Sequence, residues 1–158
     1  MTTYQPRIVD DLLQRKLRST GAVLILGPKA CGKTTTAKQF AKSSLLLSSA
    51  QTRETVAATL DMAPDLVLSG EVPRLIDEWQ TIPRLWDEVR SELDERGDVG
   101  QFILTGSAVP ADRTEIFRTG TDRFAWITMR PMSLYELGKS SGAVSLSALF
   151  SGEQSVFA

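Results

Sequence analysis

The stretch LGPKACGKTTTAKQF at residues 26–40 constrains the fold more than any other part of the chain. Within it, Gly27, Gly32, Lys33 and Thr34 fit the spacing G-x-x-x-x-G-K-[ST]. The apolar run AVLIL precedes the motif, and TTTAKQFAK continues it as a plausible helix. The motif therefore lies between a predicted strand and a predicted helix, which is the setting that a phosphate-binding loop requires.

The two glycines give this loop its predicted function. Glycine allows positive φ angles and a close approach of the backbone to a ligand, so successive N–H groups can point into one concavity at a helix N-terminus. Such a concavity suits a phosphate. The predicted ligand-binding residues are Gly27, Pro28, Lys29, Ala30, Cys31, Gly32, Lys33, Thr34 and Thr35.

Two side chains of the loop have more specific expected roles. Lys33 is expected to reach the β- and γ-phosphates of a nucleotide as a point charge. The Thr34 hydroxyl is expected to take one coordination position on Mg²⁺.

Length and composition indicate one globular domain, residues 1–158, with 42% hydrophobic and 23% charged residues. The net charge of −1 gives no signal for nucleic acid or for an anionic membrane. No apolar run approaches the roughly 20 residues needed to span a bilayer, and the N-terminus lacks the order of a signal peptide. The single cysteine cannot form an internal disulfide. We therefore expect a cytoplasmic protein.

Two residue types are missing from the sequence. Without histidine, Ser-His-Asp chemistry and histidine-ligated zinc are excluded. Without asparagine, the Asn-Lys-x-Asp motif that reads guanine is impossible, which favours ATP as the nucleotide.

The hydrophobic pattern predicts an α/β fold. Strands are predicted at 22–26, 44–49 (a buried strand), 74–80, 101–107 and 124–131. In the N-terminal region 1–20, a helix is predicted at 8–18. Further helices are predicted directly after the loop, from near Thr52, and at 82–97. Shorter helices are predicted at 111–118, 132–139 and 144–151. Alternation of strands and helices implies a parallel sheet covered by helices on both faces.

Asp77 and Glu78 end the strand predicted at 74–80. Ligands of open α/β sheets bind at the carboxyl ends of the strands. We expect Asp77 to hold Mg²⁺ or one of its waters, and Glu78 to orient and deprotonate an attacking water. Two solvated acids in a turn would give the same sequence.

Two further candidates complete the predicted site. Thr105, in the TGS exit of the strand at 101–107, is expected to touch the γ-phosphate or the attacking water, although Ser107 offers a second hydroxyl and an ordinary strand-ending threonine is an alternative. Arg123, directly before the last strand, is a candidate arginine finger that would complete the site of a neighbouring subunit. A surface arginine is the alternative.

With GPKACGKT, LIDEWQ, FILTGS and DRFAWITMRPMSLYE in this order, residues 5 to 150 resemble the AAA-type P-loop ATPases of prokaryotes, in particular the AAA_14 group. The resemblance implies a five-stranded sheet of order 5-1-4-3-2 and ATP hydrolysis with Mg²⁺. It also implies that 131–158 begins a helical region that is truncated here, and that a C-terminal domain follows in relatives. The family typically has Gly-Arg where this chain has Asp122-Arg123.

Two other functions fit the same loop. A small-molecule or nucleotide kinase would use Arg113, Arg118 and Arg123 to close over the phosphates, but SLLLSSAQ offers no acid to hold an acceptor. A switch module would bind ATP and turn it over rarely.

Overall fold

The computed structural model describes residues 3–107 and 123–152. They fall into two compact units. One unit lies within Ile8–Pro131, and the other combines the residues up to Arg7 with those from Met132 onwards.

The larger unit is built on a five-stranded sheet in which every pair of neighbouring strands is parallel. The strands are β1 (Ala22–Leu26), β2 (Ser43–Leu46), β3 (Arg74–Asp77), β4 (Phe102–Gly106) and β5 (Phe124–Thr128). Their spatial order, β2-β3-β4-β1-β5, is the predicted order 5-1-4-3-2 seen from the other edge. The α/β fold class and the strand order are therefore confirmed.

β1 illustrates why the central strands are continuous apolar runs. All five of its residues are buried. Successive side chains of a strand point to opposite faces, so Leu24 belongs to the core cluster on one face and Ile25 to the cluster on the other. An apolar side chain is therefore favoured at every position of β1.

Helices cover both faces of the sheet. The helices are α1 (Ile8–Leu17), α2 (Lys33–Phe40), α3 (Ala50–Met62), α4 (Pro64–Leu68) and α5 (Leu85–Arg96) in the larger unit, and α6 (Leu146–Phe150) in the smaller one. Buried apolar residues of α3, α4 and α5 share one core cluster, whereas those of α1 and α2 share the other. The predicted helix at 82–97 ends as expected, because Gly97 caps α5 in the left-handed conformation at φ 68°.

The tryptophans belong to the hydrophobic core. Trp86 is stacked on Phe124 with ring centroids 4.2 Å apart, and it also contacts Trp79 and Trp126. Trp79 and Trp86 are buried and Trp126 is partly buried. The three rings therefore stabilise the core on this face of the sheet.

The amino end of β3 is fixed by a partly buried arginine. The guanidinium of Arg74 donates to the Ser43 hydroxyl at 3.0 Å and to the Val67 carbonyl at 3.1 Å. Burial, and secondarily the charge of Arg96, lower the pKa of Arg74. These bonds join β2, β3 and α4 at the amino-terminal end of β3, whereas Asp77 and Glu78 lie at its carboxyl-terminal end.

The smaller unit contains a buried ion pair between Arg7 Nε and Glu136 Oε1, 2.9 Å apart. The other oxygen of Glu136 accepts from the Ser133 N–H at 2.7 Å, and the Glu136 N–H donates back to the Ser133 hydroxyl at 3.2 Å. This reciprocal arrangement is a capping box.

Several elements differ from the sequence predictions. β2 is an edge strand, so it is only partly buried and Ser44 is exposed. Residues 134–138 form a hydrogen-bonded turn rather than the predicted helix, because Gly138 at φ 65° ends it directly after the capping box. β3 stops at Asp77 instead of continuing to 80. The helix predicted at 111–118 lies outside the described residues.

Candidate nucleotide-binding site

The loop between β1 and α2 owes its shape to two left-handed residues. These are Gly32 at φ 98° and Ala30 at φ 64°. Successive residues of right- and left-handed conformation form concavities that bind anions. Ala30 is a residue whose conformation the sequence does not reveal, since alanine rarely adopts positive φ.

Gly27 has a different role from Gly32, because its φ is not in the left-handed region. A Cβ at Gly27 would collide with the carbonyl oxygen of Met129, the residue after β5. The Met129 N–H in turn donates to the Leu26 carbonyl at 2.7 Å. Gly27 is therefore required for close packing of the loop against the chain that follows β5.

The start of α2 directs backbone donors towards this loop. The helix begins at Lys33 and its N-cap is Gly32, and no side chain among the described residues caps it. The N–H groups of the first turn have no acceptor within a helix. The first turn also contains no acidic residue, so the positive end of the helix dipole is not neutralised there.

Lys33 is buried, with 5% of its surface exposed. Its Nζ atom donates to the carbonyl oxygens of Gly27 at 3.0 Å and Pro28 at 2.9 Å. An ammonium group has three donors, and within residues 3–107 and 123–152 no acceptor takes the third. The loop itself thus fixes the ammonium and leaves it one proton for a ligand.

Asp77 lies beside this loop because β3 ends where α2 begins. Its Oδ1 atom accepts from the Thr34 hydroxyl at 2.6 Å and from the Thr105 hydroxyl at 2.5 Å. The register pairs Asp77 with Thr105 on the neighbouring strand β4. The sheet therefore brings the predicted metal-binding residues, Thr34 and Asp77, into direct contact.

This set of oxygen atoms suits Mg²⁺. Magnesium is usually bound by one or two carboxylates together with substrate phosphates and waters. Both hydroxyls reach Oδ1, and no group among the described residues donates to Oδ2 of Asp77. The Thr34 hydroxyl and the Asp77 carboxylate could therefore hold the ion.

The Thr105 hydroxyl is committed to Asp77. Thr105 has no exposed surface, so the side chain supports the carboxylate of Asp77 from inside the sheet. The contact of Thr105 with the γ-phosphate or the attacking water stays a prediction.

Glu78 leaves the strand in a left-handed conformation at φ 58° and ψ 42°. Its Oε2 atom accepts from Gln80 Nε2 at 2.6 Å and from the Ser107 hydroxyl at 2.9 Å. Sequence reasoning missed Gln80. The available signal was that its side-chain amide lies two residues after Glu78, but the apolar pattern placed Gln80 in the predicted strand at 74–80.

The other predicted residues are placed as follows. Pro28, Lys29, Ala30 and Thr35 are exposed, whereas the side chain of Cys31 is buried and its Sγ lies 3.7 Å from the Met129 carbonyl oxygen. The Cys31 N–H donates to the Pro28 carbonyl at 3.4 Å, so this residue contributes to the shape of the loop.

Arg123 is not brought to the loop of its own chain. Its carbonyl accepts from the Ala22 N–H at the amino-terminal end of β1, whereas the loop follows the carboxyl-terminal end of that strand. Its guanidinium donates to the Leu93 carbonyl at 3.3 Å and lies 3.6 Å from Asp94.

A parallel sheet of this order, with a glycine-rich loop between β1 and α2 and an acid at the end of β3, defines a P-loop NTPase. Residues 19–138 match the AAA_14 family, described as an AAA domain. The chain belongs to this family, which indicates nucleotide binding and NTPase activity in general.

Two curated proteins are similar to this chain. They are the uncharacterized proteins Mb2031c of Mycobacterium bovis and Rv2008c of Mycobacterium tuberculosis, each 35% identical over 99 residues. The matched segment is 62% of this chain but 22% of each relative, so the chain matches about a fifth of their length. Within the described residues, no helix combines the length and apolarity needed to cross a membrane.

Proposed function

We propose that this chain binds ATP with Mg²⁺ and hydrolyses the bond between its β- and γ-phosphates. The observation that carries the proposal is the 2.6 Å hydrogen bond between the Thr34 hydroxyl and Asp77. It joins the helix terminus suited to phosphate with the strand end that carries two acids. The absence of asparagine favours ATP over GTP.

Binding of the triphosphate is assigned to the loop and to α2. The N–H groups of the first turn of α2 have no acceptor within the helix and can donate to phosphate oxygens. Lys33 adds a positive charge that is little screened by water because the side chain is buried. Thr34 and Asp77 would hold Mg²⁺, which neutralises charge on the phosphate oxygens when it is bound.

Glu78 is assigned as the general base. Its carboxylate follows Asp77 directly and so lies at the same edge of the sheet. The oxygen of a water molecule forms a bond to the γ-phosphorus, while the bond from that phosphorus to the bridging oxygen breaks. Glu78 takes the proton of the water, and ADP leaves with the bonding electron pair.

Phosphate release from Mg-ATP, without any added acceptor, tests this proposal. Glu78→Gln should lower the rate by roughly 10² to 10⁴, the usual contribution of a general base. ATP binding, measured by calorimetry, should persist in this variant. Glu95→Gln is the matched control, since Glu95 is exposed on α5 and should release phosphate like the wild type. Equal rates for Glu78→Gln and the wild type would refute the role of Glu78.

The same assay tests the two other functions. A kinase would form ADP only when an acceptor is added, and a switch module would show little turnover and no dependence on Glu78. The kinase alternative gains no support from Arg123, because this residue lies at the amino-terminal end of β1 and the loop follows the carboxyl-terminal end. Arg113 and Arg118 lie outside the described residues.

Arg123 is proposed to act on the site of a neighbouring copy of the chain. Its ion pair with Asp94 is 3.6 Å long and its side chain is 39% exposed. Exposed ion pairs contribute little stability, so Arg123 could give up this contact to a partner. We expect the specific activity of the wild type to rise with protein concentration, and that of Arg123→Ala to stay constant. The same concentration dependence in both proteins would refute this role of Arg123.

We also propose that hydrolysis drives a change in a further, effector domain. Most of each mycobacterial relative lies outside the segment that matches this chain, which supports a role within a larger protein.

A further inference from the structure

The carboxylate of Glu78 is bound by two neighbours. Gln80 Nε2 and the Ser107 hydroxyl both donate to its Oε2 atom. We infer that Gln80 and Ser107 are positioning residues, which fix Glu78 through Oε2 and leave Oε1 to receive the proton of the attacking water. The inference rests on the proposed hydrolysis, and it assigns to Gln80 and Ser107 a role towards Glu78 that the sequence pattern does not predict.

A turn of the backbone brings Gln80 back to Glu78. The left-handed conformation of Glu78 ends β3, and residues Trp79–Thr81 form a single 3₁₀ turn. Thr81 closes this turn, since its N–H donates to the Glu78 carbonyl at 3.0 Å and its hydroxyl donates to the same oxygen at 2.8 Å. Trp79 is buried in the core. The bonds between Thr81 and Glu78 therefore fix the two ends of the turn, and the buried Trp79 side chain fixes its middle.

Ser107 approaches from the other side, because it directly follows β4. The Gln80 amide is also 3.5 Å from the Ser107 hydroxyl, so the three side chains form one small cluster. Its donors come from two separate strand exits. A change of the Glu78 rotamer would break both bonds to Oε2 at once.

The two oxygens of Glu78 are not equivalent. Both donors reach Oε2, and no group in residues 3–107 or 123–152 donates to Oε1. A carboxylate fixed through one oxygen keeps the lone pairs of the other for a water molecule. This asymmetry is what a general base requires, since its accepting atom must have a defined position.

Gln80 also carries an unfavourable feature that its role explains. Its Oε1 atom is buried without a partner among the described residues. Such unpaired buried acceptors are costly and uncommon in proteins. An apolar side chain would fill the turn without this cost, but it would not donate to Glu78.

Steady-state kinetics test the function of the cluster. Gln80→Met keeps the length of the side chain but removes its donor, and Ser107→Ala removes the hydroxyl. Each should lower kcat roughly 10- to 100-fold, the range found when residues that orient metal ligands are mutated, with KM for Mg-ATP unchanged. Ser107→Thr retains the hydroxyl and should keep most of the activity, and Gln14→Ala on the exposed face of α1 should match the wild type.

The Glu78→Gln background separates positioning from a general structural effect. If the cluster acts through Glu78, Gln80→Met and Ser107→Ala should cause no further loss of kcat there. The same fold loss in both backgrounds, or a raised KM with unchanged kcat, would overturn the inference.

Nuclear magnetic resonance provides a readout that does not need hydrolysis. The side-chain amide signals of Gln80 should shift in Glu78→Gln and in Ser107→Ala, and should not shift in Glu95→Gln. Amide signals that ignore both changes would overturn the inference even if ATP is hydrolysed. Signals that respond in a protein without any hydrolysis would instead refute the proposed function and leave the positioning contact standing.

Discussion

The left-handed conformation of Glu78 predicts an unusual order of stabilities. A residue with a Cβ pays about 1–2 kcal/mol in this region, whereas glycine does not. Glycine in turn loses about 0.5–1 kcal/mol more backbone entropy on folding than alanine. At φ 58° and ψ 42°, the balance favours Glu78→Gly over Glu78→Ala by roughly 0.5–1 kcal/mol, although both variants lack the carboxylate.

Ser91 supplies the matched control, because it is an exposed position inside α5. In a helix interior, glycine is less favourable than alanine by about 0.8–1 kcal/mol. Ser91→Gly should therefore melt below Ser91→Ala, which is the reverse of the order at position 78. Thermal unfolding followed by circular dichroism can resolve the pairs, since 1 kcal/mol shifts the melting temperature by about 2–4 °C in a domain of this size.

The pair at position 78 isolates backbone strain from catalysis. Neither variant has the carboxylate, so lost hydrogen bonds and lost activity are common to both. A Glu78→Ala variant at least as stable as Glu78→Gly would show that the backbone at position 78 is not left-handed in solution. The turn that presents Gln80 to Glu78 would then be wrong as well.

Three further substitutions test other parts of the structure. Thr105→Val removes a donor to the Asp77 carboxylate, the proposed ligand of Mg²⁺. Because hydrogen bonds to charged groups are worth about 1.5–3 kcal/mol, the apparent affinity for Mg²⁺ in ATP hydrolysis should fall roughly tenfold or more, and an unchanged Mg²⁺ titration would contradict this. Gly27→Ala should abolish nucleotide binding in calorimetry, since a Cβ has no space beside the Met129 carbonyl; normal binding would refute the packing argument. Glu136→Ala removes the buried ion pair with Arg7 and should lower stability by about 3–5 kcal/mol, which should appear as faster hydrogen exchange at residues 133–138. Asp61→Ala removes an exposed ion pair and should change exchange little, so equal effects of the two variants would contradict the burial argument.

The sequence predicts those parts of the fold that depend on local patterns. The apolar run predicts the strand at Ala22–Leu26, and the placement of glycine predicts that the helix ends before Gly97. The strand order required the family resemblance, because spacing does not determine which strands are neighbours. The edge position of β2 follows from that order rather than from its own residues.

The details of the site depend on contacts distant in sequence. Ser107 reaches Glu78 across 29 positions, and the Thr105 hydroxyl reaches Asp77 across 28. No periodicity encodes such contacts. The positive φ of Ala30 and Glu78 is equally hidden, because residues with a Cβ usually avoid that conformation.

Calorimetric titration of ATP, with and without Mg²⁺, tests most directly whether the loop and Asp77 together form a site for a metal-bound triphosphate. The wild type should bind ATP more tightly in the presence of Mg²⁺, and Lys33→Met should lose this binding. Lys38→Met is the matched control, since Lys38 is exposed at the other end of the same helix and should bind like the wild type. Equal affinity in Lys33→Met and Lys38→Met, or binding that does not depend on Mg²⁺, would contradict the account.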